Sequence, residues 1–192
     1  MFQYQIRKDT LLKILLLFLF CFTFTSVSSA GTYNYAEIGF GLSKLISSSG
    51  DKVYDDTIND ADPSGAFKIS TGSRLGHSVN NWFELTYIYE APKKINTTEI
   101  SNHLLLVNLK FTTDPKADLS AFIKLGGGRT FTEIKSRSDS SDFKSTAYSM
   151  SVGTSFRLNA KQAINFEAQS IYNDDLADLY NNFFVLSLNQ FM

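Results

Sequence analysis

Everything after residue 30 is written as eight strand-length segments, and the gaps between them alternate long and short. Three short gaps, around Gly76–Asn81, Asp114–Asp118 and Asn159–Gln162, separate four longer gaps that are polar and charged. Such spacing suits a meander in which each strand pairs with the next, with the tight turns at one end and the long connections at the other. Within the segments apolar residues recur at every second position, the period of a strand that shows one face to an apolar medium.

The faces can be read off directly. Tyr33–Leu45 sets Ala36, Ile38, Phe40 and Leu42 against Glu37, Gly39, Gly41 and Ser43. Ala66–Leu75 sets Phe67 and Ile69 against Lys68, Ser70, Gly72 and Arg74, and Trp82–Glu90 sets Phe83, Leu85, Tyr87 and Tyr89 against Glu84 and Thr86. His103–Thr112 opposes Leu105, Val107, Leu109 and Phe111 to Asn108 and Lys110. Leu119–Phe131 opposes Ile123 and Leu125 to Lys124, Gly126 and Gly128, and Ala147–Leu158 opposes Met150 and Val152 to Ser151, Gly153 and Arg157. Ala163–Tyr172 places Ile164 and Phe166 opposite Asn165 and Glu167. In Asn182–Met192 we read Phe184, Leu186 and Leu188 as outward and Ser187 and Asn189 as inward, with Phe191 as the residue that could invert this parity.

Alternation alone also suits a soluble sandwich or a lipocalin-like periplasmic barrel. The non-apolar face separates the cases. It is mostly Gly and Ser with isolated charges, too sparse in Lys and Glu for a water-facing surface but suited to the crowded inside of a narrow barrel. The sequence therefore predicts an all-β, eight-stranded antiparallel up-and-down transmembrane β-barrel, with short turns in the periplasm and longer loops outside. Tyr33, Tyr35, Trp82 and Phe156 fall near the inner rim, and Tyr87, Tyr89, Phe131, Tyr148 and Tyr172 near the outer one, as two interfacial aromatic bands.

The N-terminus agrees with that address. Arg7, Lys8 and Lys13 precede the apolar run Ile14–Phe22, and small residues end at Ser28-Ser29-Ala30, the grammar of a cleaved signal peptide. The run is short of the roughly 18–20 residues of a spanning helix. Residues 1–30 are thus expected to be the signal, and 31–192 the barrel domain in the bacterial outer membrane. Cys21 leaves with the signal, so no disulfide is expected. The leader carries a net +2, so the remainder carries −3 against −1 for the whole chain, and no basic surface argues for nucleic acid.

Leu119-Ser-Ala-Phe-Ile-Lys-Leu-Gly-Gly127, after the Asp114–Asp118 turn, resembles the fifth strand of OmpA-type transmembrane domains. Ala163–Gln169 resembles the seventh and Leu186-Ser-Leu188 the last. The likeness extends to OmpX-like barrels. It implies a filled lumen with an internal charge network and, since the chain stops at strand eight, no peptidoglycan-binding domain.

The candidate site is that lumen network. Glu37, Glu84 and Glu167 oppose Lys68, Arg74, Lys110, Lys124 and Arg157, with Glu84 within reach of Arg74 or Lys110 on neighbouring strands. Isolated buried charges are costly, so these groups should pair and plug the barrel. The alternative is a narrow, porin-like ion path through the same residues. A lipid A-modifying enzyme is the rival of another class. It would need His103, with Ser101 two residues before it; His77 lies on the periplasmic side, and Leu105 stands where a His-x-Ser order would put serine. Asp60-Ala-Asp-Pro-Ser-Gly65, with Asp55 and Asp56 upstream, matches half of a calcium loop, but Thr71 falls where the closing glutamate belongs. We therefore expect no enzyme, metal or cofactor. Basic charge on the second and third loops (Lys93, Lys94, Lys135, Arg137, Lys144) faces acidic charge on the first and fourth (Asp174, Asp175, Asp178). The expected partners are outer-membrane lipid and lipopolysaccharide, and a host or surface ligand at the loops. The expected state is a monomer with a structural or surface-interaction role, adhesion included.

Overall fold

A computed structural model of the chain describes residues 34–47, 62–76, 78–95, 98–136, 140–174 and 179–192. Eight strands, β1 (Asn34–Ser47), β2 (Ser64–Arg74), β3 (Asn81–Ile95), β4 (Thr98–Thr112), β5 (Leu119–Lys135), β6 (Ser140–Arg157), β7 (Gln162–Asn173) and β8 (Leu179–Phe191), form one closed barrel. Each strand pairs antiparallel with the next, and β8 returns to β1 from Tyr35↔Phe191 to Ser47↔Leu179. The predicted signal, residues 1–30, and Tyr33, Asp55, Asp56, Asp60, His77, Arg137, Asp175 and Asp178 lie outside the described residues.

The register fixes the barrel's shape. Following paired residues once around, from Ala36 through Thr71, Leu85, Val107, Gly127, Tyr148, Tyr172 and Tyr180, returns to β1 at Ile46, a stagger of ten positions (36 to 46). With eight strands that stagger tilts them by about 40° and leaves a narrow interior. Outward positions are apolar and open, among them Phe40 (66% exposed), Leu119 (64%) and Phe184 (64%). Apolar surface this continuous is stable only against lipid.

The short turns are built by local side chains. Gly76 takes φ +58° in the β2–β3 turn, a conformation that costs glycine little. In the β4–β5 turn Asp114 Oδ1 accepts the Lys116 amide at 2.8 Å, and in the β6–β7 turn Asn159 Oδ1 accepts the Lys161 amide at 2.8 Å.

At the opposite end two of the expected long loops are strand. β3 runs to Ile95 and β4 restarts at Thr98; β5 runs to Lys135 and β6 restarts at Ser140. These continuations lie beyond the lipid-facing band, where no apolar face is required, so their sequence loses the alternation that marks strands. A bulge at Ala91-Pro92, between Glu90 and Lys93, shifts the register there and accommodates the proline. It also reverses parity, so that Lys93 points inward and is 3% exposed instead of standing on a solvated loop.

Two aromatic assignments are corrected as well. Tyr35 and Trp82 are 1% and 3% exposed and face the lumen, so they belong to no lipid-facing band. Phe191 shares their parity and packs against them, with ring centroids 6.2 Å from Tyr35 and 6.3 Å from Trp82. Strand β8 therefore keeps Phe184, Leu186 and Leu188 outward.

Candidate functional site: a layered lumen

The inward positions of β3, β4 and β7 show how the lumen is layered. From the short-turn end, β3 presents Trp82, Glu84, Thr86, Ile88 and Glu90; β7 presents Ala163, Asn165, Glu167, Gln169, Ile171 and Asn173. β4, read backwards, presents Lys110, Asn108, Leu106, Leu104 and Asn102. Aligned by register, these make an aromatic floor, a charged layer, an apolar layer and a second polar layer.

The charged layer joins residues from six strands, β1–β5 and β7. Lys68 Nζ lies 2.8 Å from Glu37 and 2.5 Å from Glu167. Lys124 Nζ lies 3.0 Å from both Glu84 and Glu167. Glu84 also accepts the Tyr35 hydroxyl and, at 2.8 Å, the Thr86 hydroxyl; Asn165 donates to Glu37 at 2.8 Å. Side chains of the four ion-paired residues on β1, β2, β3 and β5, and of Glu167 on β7, are at most 1% exposed. Lys110 sits 4.8 Å over the Tyr35 ring and 4.5 Å over Phe122, where two ring faces receive its charge. Glu84 thus pairs with Lys124 instead of Lys110 or Arg74, because inward side chains of a narrow barrel meet across the lumen as well as along the sheet. Arg74 and Arg157 lie a layer lower, at the mouth, over Trp82 (5.6 Å) and Phe191 (5.7 Å).

Above the charges, Ala66, Ile88, Leu104, Leu106, Ala147, Ile171, Phe183 and Val185 form one buried apolar cluster across the lumen. The sequence reads the inward face as mostly Gly and Ser with isolated charges, and does not anticipate this apolar layer. The missed signal is present in Leu104–Val107 and Phe183–Leu186, runs apolar at consecutive positions and therefore on both faces. A second polar layer follows: Glu90 is paired with Lys93, accepts Ser43 and Asn102, and Thr132 donates to Asn102 at 2.7 Å.

His103 faces outward near the upper rim. Its Nδ1 lies 2.8 Å from the Tyr87 hydroxyl, and its ring centroid lies 5.1 Å from that of Tyr89 with the planes tilted by 44°. Ser101 stands opposite Glu133 in the ladder, but the Glu133 carboxylate pairs with Lys135 at 2.8 Å. Of the calcium-like run, Ser64 and Gly65 open β2, with Ser64 buried in the barrel wall. Among the described residues no group of three or more His, Cys, Asp or Glu could hold a metal ion.

A closed antiparallel barrel, apolar outside and polar within, is the build of a protein that crosses the outer membrane by strands. The chain belongs to the outer membrane protein β-barrel domain family, whose model matches residues 14–189, and this places it in the bacterial outer membrane. Solved structures share the fold. Neisserial surface protein A matches with a TM-score of 0.67 at 12% identity, covering 83% of this chain and 98% of that one. The attachment invasion locus protein Ail of Yersinia pestis matches at 0.58 and 11%, covering 83% and 98%; Ail has also been solved with the heparin analogue sucrose octasulfate. The N-terminal barrel of Pseudomonas aeruginosa OprF matches at 0.60 and 9%, covering 83% and 97%. No curated protein matches the chain.

Proposed function

We propose that this protein is a monomeric, closed-lumen barrel that supports the outer membrane structurally and meets partners at its outer end. In this reading residues 1–30 are removed as a signal peptide and the short turns lie in the periplasm. The observation that carries it is the stacked lumen: Glu37, Lys68, Glu84, Lys110, Lys124 and Glu167 in one layer and eight apolar side chains in the next. Ions would have to cross a charged layer and then a dry one, so the plug of ion pairs is favoured over a porin-like path. His103 held between two tyrosines likewise favours an interfacial side chain over a lipid A-modifying base.

What remains for function is the exterior. β3–β6 continue past the lipid-facing band, and among the described residues β7 pairs with β6 only up to Asn173↔Ala147, so the outer ends of β5 and β6 are the part of the exterior on which a partner would bear. Ail's complex with a sulfated ligand makes an acidic glycan a reasonable first ligand to try. Outward Lys44, Arg129 and Lys144 lie at the upper rim, where lipopolysaccharide phosphates would meet them. The test is adhesion of bacteria displaying the intact chain to host cells or heparin beads, against a variant in which β5 and β6 are shortened by replacing residues 133–142 with a tight turn. Adhesion lost in the shortened, still folded variant supports the reading. Equal adhesion by both, or by neither above an empty-vector strain, overturns its surface-interaction part.

A further inference from the structure

We infer that the outward face of β7, β8 and β1 holds one lipopolysaccharide molecule by its lipid A part, an inference that rests on the long-loop end being the outer one. The register sets Ser170, Asn182 and Lys44 side by side on these three strands. The row directly above is Tyr172, Tyr180 and Ile46, with the two tyrosine rings 5.3 Å apart. The row directly below is Ala168, Phe184 and Leu42. Polar side chains thus lie on the lipid-facing wall between an aromatic belt and an apolar band, where an unmet hydrogen-bonding group is costly. Ser170 Oγ donates to Asn182 Oδ1 at 2.6 Å. That bond uses the serine proton, so the pair still offers the N–H donors of Asn182 and an acceptor lone pair on Ser170.

That pairing selects the ligand. A phospholipid joins its chains through esters, which accept hydrogen bonds and donate none. Lipid A carries amide-linked hydroxyacyl chains, whose N–H and O–H groups donate to Ser170 while their carbonyls accept from Asn182. Beneath the pair, two adjoining clefts of about 490 and 310 Å³ share Val152, Ala168 and Phe184. Ala168 is the small residue between the other two in the register, so the wall dips along β7. Phe166 and Leu186 line the lower end, four positions from Ser170 and Asn182, which gives one acyl chain about 13 Å of strand to lie along. The ten-position stagger makes the polar row climb toward the outer end from β7 to β1, so Lys44 stands highest, at the level of a lipid A phosphate. Among the described residues no carboxylate pairs with Lys44: Asp62 precedes the Ser64 that faces Ser43 and makes no ion pair with it, and Asp174 lies past Tyr172, two rows above Ser170.

The refolded full chain in a mild non-ionic detergent is incubated with equimolar deep-rough lipopolysaccharide and phosphatidylglycerol, and native mass spectrometry counts what stays bound. One lipopolysaccharide per barrel should be retained in preference to phosphatidylglycerol. Ala168→Phe, which fills the dip, and Ser170→Ala/Asn182→Leu, which removes the polar pair, should each lower retention about tenfold, whereas Lys161→Gln at the other end should not. Both variants set apolar side chains against lipid, so the unboiled gel mobility of the folded barrel should be unchanged. No retained lipopolysaccharide, equal retention of phosphatidylglycerol, or parent-like retention by either variant would overturn the site. Orientation is read separately: Lys116→Cys, on a short turn, should escape a membrane-impermeant maleimide in intact cells. Labelling there would overturn the outer-leaflet ligand through the orientation, whereas failed retention with an unlabelled turn would overturn the site alone.

Discussion

Replacing Lys124 by Met, a side chain of similar length without charge, removes the cation that lies 3.0 Å from both Glu84 and Glu167. Glu167 keeps Lys68 at 2.5 Å, but Glu84 is left with neutral donors, Tyr35, Thr86 and Asn108. Removing one partner of a buried pair strands the other charge, and the loss expected here is about 3–5 kcal/mol. Restoring balance should recover much of it. Lys124→Met combined with Glu84→Gln leaves two lysines and two glutamates in the layer, and the pair should show a coupling of about 2 kcal/mol or more in a double-mutant cycle. The assay is urea unfolding of the refolded protein in phospholipid vesicles, followed by Trp82 emission. A loss below about 1 kcal/mol for Lys124→Met, or strictly additive losses in the double variant, would refute the view that this layer acts as one charge-balanced unit.

Neighbouring lysines should behave differently. Lys93→Ala, which strands buried Glu90, should cost about 3 kcal/mol in the same unfolding assay, whereas Lys94→Ala breaks an exposed 3.5 Å pair with Glu99 and should cost under about 0.5. In the apolar layer, Leu104→Ala and Leu106→Ala, at fully buried positions, should each cost about 2–5 kcal/mol of unfolding free energy in the same assay. At Gly128 an added Cβ would stand 1.9 Å from the Leu105 carbonyl oxygen, so Gly128→Ala should cost about 3 kcal/mol or more and deplete the folded band on unboiled gels. Gly65→Ala, with nothing within 4 Å of the added atom, should fold within about 0.5 kcal/mol of the parent.

The number of strands, their pairing and their outward faces were legible in the sequence because lipid imposes a strict two-residue period on every spanning strand. Phe67-Lys-Ile-Ser70 and Leu105–Phe111 show it plainly. What was not legible is what lipid does not dictate. Ile88, Leu104 and Phe183 point inward within runs apolar on both faces, so alternation carries no information there. Lys93 was assigned to a loop because alternation stops at Glu90, whereas the strand runs on to Ile95 through a bulge at Ala91-Pro92 that inverts parity and turns Lys93 inward. The eight charges of the candidate site were recognised as inward, but their partners depend on the ten-position stagger, which decides who meets whom across the lumen. That stagger brings Lys124 on β5 to Glu84 on β3, and it leaves Arg74 and Arg157 at the mouth.

Single-channel recording tests the sealed lumen most directly. The purified intact chain, reconstituted in a planar bilayer, should give a flat baseline with no steady conductance steps, and Lys124→Ala and Glu167→Ala should introduce none while the barrel stays folded. Steady steps in the parent protein whose size or ion selectivity changes with Lys124→Ala or Glu167→Ala would show that ions pass through the very layer described here as closed.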